Sequence, residues 1–157
     1  MKKHVISILV EDRFGALARV VELFTSRGYN LESVCTGEAE RKGVHRMTLV
    51  TLGNDDKIQH ILKLLKNIIY VWEVRLLSPE QTISRELILL KLKVPKDQRT
   101  QILTLIQAYE GNLIEMNQDH ITFMVTGSAS KIDGVAEVFG DYEIHEMART
   151  GEAAIHK

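Results

Sequence analysis

The sequence predicts an α+β protein: two ferredoxin-like βαββαβ units in tandem, each a four-stranded antiparallel sheet with two helices on one face. Three observations carry this reading. Four segments show the i, i+3, i+4, i+7 apolar spacing of amphipathic helices. Eight short β-rich runs surround them in the order βαββαβ, repeated once. The two halves also align without gaps at an offset of 82, laying His4–Val34 on Glu86–Met116 with hydrophobic character preserved, as in an internal repeat.

Each element has its own signal. His4–Val10 is almost wholly apolar, as a central strand buried on both faces would be. Gly15 opens the first helix, striped by Leu17, Val20, Val21 and Phe24, and Gly28 follows its last turn. Tyr29–Cys35 and Arg46–Leu52 are the next strands. Ile58, Ile61, Leu62 and Leu65 stripe the second helix, with Asp55 or Asp56 as its cap. Tyr70–Leu77 alternates, so Tyr70, Trp72, Val74 and Leu76 form one apolar face. Ser78-Pro79-Glu80 breaks the chain, because proline disfavours continuing a strand. The predicted domains are therefore 1–78 and 79–157.

The second half repeats the order. Glu86–Val94 is followed by a helix striped by Ile102, Leu105, Ile106 and Tyr109. Asn112–Met116 and His120–Thr126 flank the polar turn Asn117-Gln118-Asp119, a hairpin signal. Ile132, Val135, Ala136 and Phe139 stripe the fourth helix, with Ser130 and Asp133 as a capping box and Gly140 after it. Asp141–Ala148 closes the unit. This plan leaves each sheet one open face, and an apolar face of that size is seldom left in water. Another copy of the chain or the second unit is expected to cover the first one, and a homodimer is expected.

Composition narrows the function. Among 157 residues, 20 Lys+Arg face 21 Asp+Glu, giving a net charge of -1, which argues against a protein living on nucleic-acid phosphates. The third strand, Arg46–Leu52, also lacks the aromatic residues that stack on RNA bases in such sheets. No apolar run nears the roughly 18 residues of a membrane span, and the N-terminus does not read as a signal peptide. The single cysteine, Cys35, excludes an internal disulfide and suits a cytoplasmic chain. None of the six histidines pairs at metal-ligand spacing, and no nucleophile, phosphate-loop or dinucleotide motif occurs. No catalytic residue and no metal site are predicted, which leaves little room for a small enzyme on this scaffold.

One segment remains: Val10-Glu11-Asp12-Arg13-Phe14-Gly15-Ala16-Leu17, a strand end, a polar turn and a helix start. Glycine there lets a ligand approach the backbone, and the first-turn amides and helix dipole favour an anion. A small carboxylate ligand fits, and so does a plain turn with a glycine cap. The corresponding loop of the second half, Val94-Pro95-Lys96-Asp97, lacks the glycine, so any such site belongs to the first unit.

The run Asp12–Arg19, then Leu23-Phe24 and Arg27-Gly28-Tyr29-Asn30-Leu31-Glu32-Ser33, resembles the opening ACT domain of the small, regulatory subunit of acetohydroxyacid synthase (acetolactate synthase). The likeness continues through Arg46-Met47-Thr48, Ser84-Arg85-Glu86-Leu87 and Ala148-Arg149-Thr150-Gly151. The resemblance implies a non-catalytic subunit that activates a catalytic large subunit. It also implies feedback by valine or another branched-chain amino acid. Thiamine diphosphate, flavin (FAD) and magnesium would belong to the large subunit, with no cofactor in this chain. The effector would lie between two first-unit ACT domains of a homodimer, touching Asp12, Gly15, Ala16 and Leu17 of one chain and Asn30 and Leu31 of the other. Asp12 departs from the asparagine usual in this family. The competing reading is a stand-alone amino-acid sensor of two ACT-like units acting on another partner.

Overall fold

In the computed structural model, which describes residues Met1–Lys157, the first half runs β1 (Lys2–Glu11), α1 (Ala16–Ser26), β2 (Leu31–Glu38), β3 (Val44–Gly53), α2 (Asp55–Lys66) and β4 (Val71–Leu77). The second half runs β5 (Thr82–Lys93), α3 (Arg99–Ala108), β6 (Asn112–Met116), β7 (His120–Gly127), α4 (Ala129–Phe139) and β8 (Ile144–Arg149), and β9 (Ala153–His156) follows. The first sheet has the order β2-β3-β1-β4 and the second β6-β7-β5-β8, with β9 additionally pairing β5. All the registered pairs are antiparallel. Both units therefore have the predicted ferredoxin-like plan, and the second sheet carries a fifth strand that the sequence reading omitted.

The repeat is visible in the cores. Ile6, Ile8 and Val10 of β1 pack with Val20 and Phe24 of α1 and Ile58, Ile61 and Leu65 of α2. Ile88, Leu90 and Leu92 of β5 pack with Ile102 and Ile106 of α3 and Ile132, Val135 and Phe139 of α4. Up to the first helix of each unit these positions correspond at the offset of 82. Beyond it, Met47 and Ile61 correspond to Ile121 and Val135, an offset of 74. The difference lies in the hairpins. A long β2–β3 connection is replaced by the tight turn at Asn117, whose side chain accepts from the amides of Asp119 and His120 at 2.9 and 2.8 Å.

Several sequence expectations are corrected. Trp72 does not enter the core. A bulge lets Val71 pair with Val10 while Glu73 pairs with Leu9, so Val71 and Val74 face inward and Trp72 is half exposed. Leu17 leaves the α1 stripe, and the more buried Ala16 takes its place beside Val20 and Phe24. The α2 cap is Asn54, which accepts from the Lys57 amide at 2.9 Å, with Asp55 and Asp56 following it in the first turn. The α4 cap is Ser128, accepting from the Lys131 amide, in place of Ser130. In both cases the extended residue just before the helix is placed to accept, whereas the predicted residues already lie inside the helix.

The chain divides into one unit of Met1–Ser84 with Glu152–Lys157 and another of Arg85–Gly151. The boundary therefore falls at Ser84/Arg85, later than the 78/79 break, and the last residues return to the first unit. Buried Glu152 pairs with Lys3, and the buried Ala154 amide donates to the Thr48 hydroxyl. Thr48 is the cross-strand partner of Ser7 on the face of the sheet away from the helices. Part of the cover expected from another copy or from the second unit is thus supplied by the tail itself.

Candidate functional site

The turn between β1 and α1 is fixed from both sides. The Glu11 amide donates to the Tyr70 carbonyl at 3.0 Å, and the Asp12 amide donates to the Gly43 carbonyl at 2.8 Å, tying the turn to the β2–β3 hairpin. Gly15 then adopts φ +80°, the left-handed region that disfavours a side chain, and α1 begins at Ala16. A Cβ at Gly15 would meet nothing within 4 Å, so the space beside this backbone is open.

The N-terminus of α1 differs from those of α2 and α4. No side chain caps it, whereas Asn54 and Ser128 cap α2 and α4, and it lacks the acidic first turn of α2. The Ala16 amide donates to the Arg13 carbonyl at 3.2 Å. The amides of Leu17 and Ala18 belong to the first helical turn, where no preceding helical carbonyl can accept from them. With the helix dipole they favour an anion.

These amides border a cavity of about 570 Å³ formed by the loop 11–18 together with Thr36 of β2 and His45 and Met47 of β3. Met47 and Ala16 are buried, while Leu17 and the fully exposed Phe14 lie toward solvent. The charged groups are arranged in pairs. Asp12 Oδ2 lies 3.6 Å from His45 Nε2, and Arg13 lies 3.7 Å from Glu11 Oε2. The Trp72 indole N–H donates to Glu11 Oε1 at 3.1 Å, and the Arg13 guanidinium sits 5.3 Å from the Tyr70 ring centre. In the neighbouring hairpin, a backbone hydrogen bond and then Arg46 hold the Glu40 carboxyl below the usual carboxylate range.

The structure brings Asp12, Gly15, Ala16 and Leu17 together around this cavity. It does not bring Asn30 and Leu31 there. Glu38 of β2 pairs with His45 beside the cavity, whereas Leu31 pairs with Thr51 at the other end of the strand. That separation is roughly 20 Å along the sheet. Within its own chain, the Asn30 side-chain amide donates to Glu32 at 2.7 Å, and the Asn30 backbone carbonyl accepts from the Thr51 hydroxyl at 2.5 Å. Thr36, His45 and Met47 were not singled out by the sequence. Their signal was the hairpin register, which sets His45 opposite Val10 and Met47 opposite Ile8. No group of three or more His, Cys, Asp or Glu side chains is placed to hold a metal ion.

Comparison with known proteins agrees with this architecture. Residues 6–73 match the family described as the acetohydroxyacid synthase (AHAS) small subunit-like ACT domain, and residues 85–157 match the small subunit of acetolactate synthase. The chain is 39% identical to the probable acetolactate synthase small subunit of Methanothermobacter thermautotrophicus, covering 98% of this chain and 92% of that one. It is 34% identical to the acetolactate synthase small subunit of Aquifex aeolicus, covering 100% and 82%. The crystal structure of the acetolactate synthase small subunit from Thermotoga maritima superposes with a TM-score of 0.93 at 28% identity, covering 100% of this chain and 98% of that one. With its two ACT-like units and relatives aligned along nearly its whole length, this chain belongs to the acetolactate synthase small-subunit family.

Proposed function

We propose that this chain is the regulatory subunit of an acetolactate synthase. It binds the catalytic large subunit, raises its activity and makes it sensitive to valine or another branched-chain amino acid. The chemistry and its thiamine diphosphate, flavin and magnesium reside in that partner, and the complex works in the cytoplasm. The observation that carries the effector reading is the uncapped N-terminus of α1 opening onto the cavity beside Gly15. The effector carboxylate sits on the first-turn amides, and Leu17 contacts the branched side chain. Such an apolar contact distinguishes one methylene by only about 1–3 kcal/mol, so valine, leucine and isoleucine are not cleanly separated.

Asn30 and Leu31 lie at the far end of β2, so their participation needs a second copy. An isologous pair of first units meets that need and closes without a leftover edge. Asn30 would then offer an amide that both donates and accepts, suited to the ammonium and carboxylate of an amino acid. The test mixes the purified chain with a catalytic subunit from the same source and measures acetolactate formation with and without valine. Activation together with valine inhibition is expected. Absence of both effects would overturn the reading, and sedimentation as a 17.8 kDa monomer at micromolar concentration would overturn the two-chain site.

A further inference from the structure

The cavity beside Gly15 holds one imidazole among carboxylates. His45 Nε2 faces Asp12 Oδ2 at 3.6 Å, and both residues line the cavity. Glu38 is the cross-strand partner of His45 on β2, while its partner on β1 is the uncharged Val10. Glu11 and Arg13 complete the charged lining, and they face each other at 3.7 Å. The first turn of α1 contributes only Ala16, Leu17 and Ala18 to the lining. Arg46, next to His45 in sequence, is directed to Ser7 and Glu40. Arg13 is already engaged by Glu11 and Tyr70, so His45 is the side chain that can add a positive charge next to Asp12.

We propose that the Asp12–His45 pair links effector binding to protonation, with His45 gaining a proton as the amino acid's carboxylate settles beside Asp12. This rests on the effector reading above and adds the regulation of that site. With neutral His45, two carboxylates face each other across the loop and repel. With the imidazolium present, Asp12 is compensated and the helix N-terminus can accept the effector. Histidine is the side chain whose charge ordinarily changes between pH 5 and 8, which sets the pH values to compare. Its sign follows from reciprocity: a ligand whose carboxylate, seated beside Asp12, favours the imidazolium is itself bound more tightly where the imidazolium is populated. Affinity therefore rises as pH falls.

The experiment is calorimetric titration of the full chain with valine at pH 6 and pH 8, and at pH 7 in two buffers of different ionisation enthalpy. The expected Kd is about five- to tenfold lower at pH 6, the size of a coupling approaching one pH unit, with fractional proton uptake at pH 7. His45→Gln should hold Kd near its pH 8 value throughout and abolish the uptake. Asp12→Asn should bind at pH 8 as tightly as the parent does at pH 6. Valine binding with equal Kd at both pH values and no proton uptake overturns the linkage and leaves the effector site standing. A His45→Gln variant that keeps the parent's pH slope overturns the assignment to His45. No binding at either pH overturns the effector reading and this inference with it.

Discussion

Ala154 donates its amide proton to the Thr48 hydroxyl at 3.3 Å, a contact spanning 106 residues of sequence. It lies beside the pairing of Lys3 with Glu152, and together they fasten the C-terminal residues to the first sheet. Removing residues 152–157 should destabilise the first unit by about 1–3 kcal/mol, from a lost hydrogen bond and re-exposed apolar surface. Thermal unfolding would show a lower midpoint. An unchanged midpoint would mean that the tail is a passive passenger.

Lys3→Met separates the two parts of that contact. It leaves the buried Glu152 carboxylate without its cation while preserving the backbone hydrogen bond of Ala154. Lys3 is itself 46% exposed, so solvent screens part of the loss, and about 1 kcal/mol is expected. Denaturant melts of the single variant, Glu152→Gln and the double variant give the coupling directly. Additivity of the two single effects would dismiss the pair.

In the second unit, Arg149 bonds the buried Glu86 at 2.7 Å and the exposed Asp133 at 2.9 Å. The Glu86 hydrogen bond is the main reason why the Arg149 guanidinium is held protonated beyond its ordinary range. A raised pKa contributes stability below the unfolded value and loses it only as pH climbs through the folded one. This contribution should therefore not decline on raising the pH from 7 to 10. Arg149→Met should cost about 2 kcal/mol, discounted for partial exposure, by stranding Glu86. A variant as stable as the parent would show that Glu86 finds another partner.

Gly15→Asp should weaken valine inhibition of the reconstituted enzyme while the chain still folds. The left-handed φ costs about 1–2 kcal/mol with a side chain, and the new carboxylate occupies the open space beside the helix amides. Inhibition at the parent's valine concentration would place the effector elsewhere.

Asp12→Asn should tighten valine binding at neutral pH. The amide can donate to the effector carboxylate, whereas an ionised aspartate only accepts. Two carboxylates about 4 Å apart repel by roughly 1–4 kcal/mol, depending on how wet the cavity is. Weaker binding would mean that Asp12 pairs with the ammonium and that the ligand lies the other way round.

The architecture was legible because Ile6, Ile8 and Val10 repeat as Ile88, Leu90 and Leu92, and burial on a central strand leaves little freedom of residue type. The loop half of the candidate site was legible for a similar reason, since the left-handed turn at Gly15 favours one residue. Trp72 was misplaced because a bulge breaks the two-residue alternation without a local sequence signal. His45, Thr36 and Met47 were missed because only the strand register carries them to the loop. The tail was missed because Ala153–His156 is short and its partners lie far away in sequence.

The return of Glu152–Lys157 also sets an order of events during synthesis. Arg85–Gly151 is one unbroken stretch and can close its core once it clears the ribosome, whereas the unit begun by Met1 lacks a segment until Glu152–Lys157 has been made. The unit begun first is thus completed after the second one. Glu152 and Ala154 dock onto a sheet whose strands were made well before them.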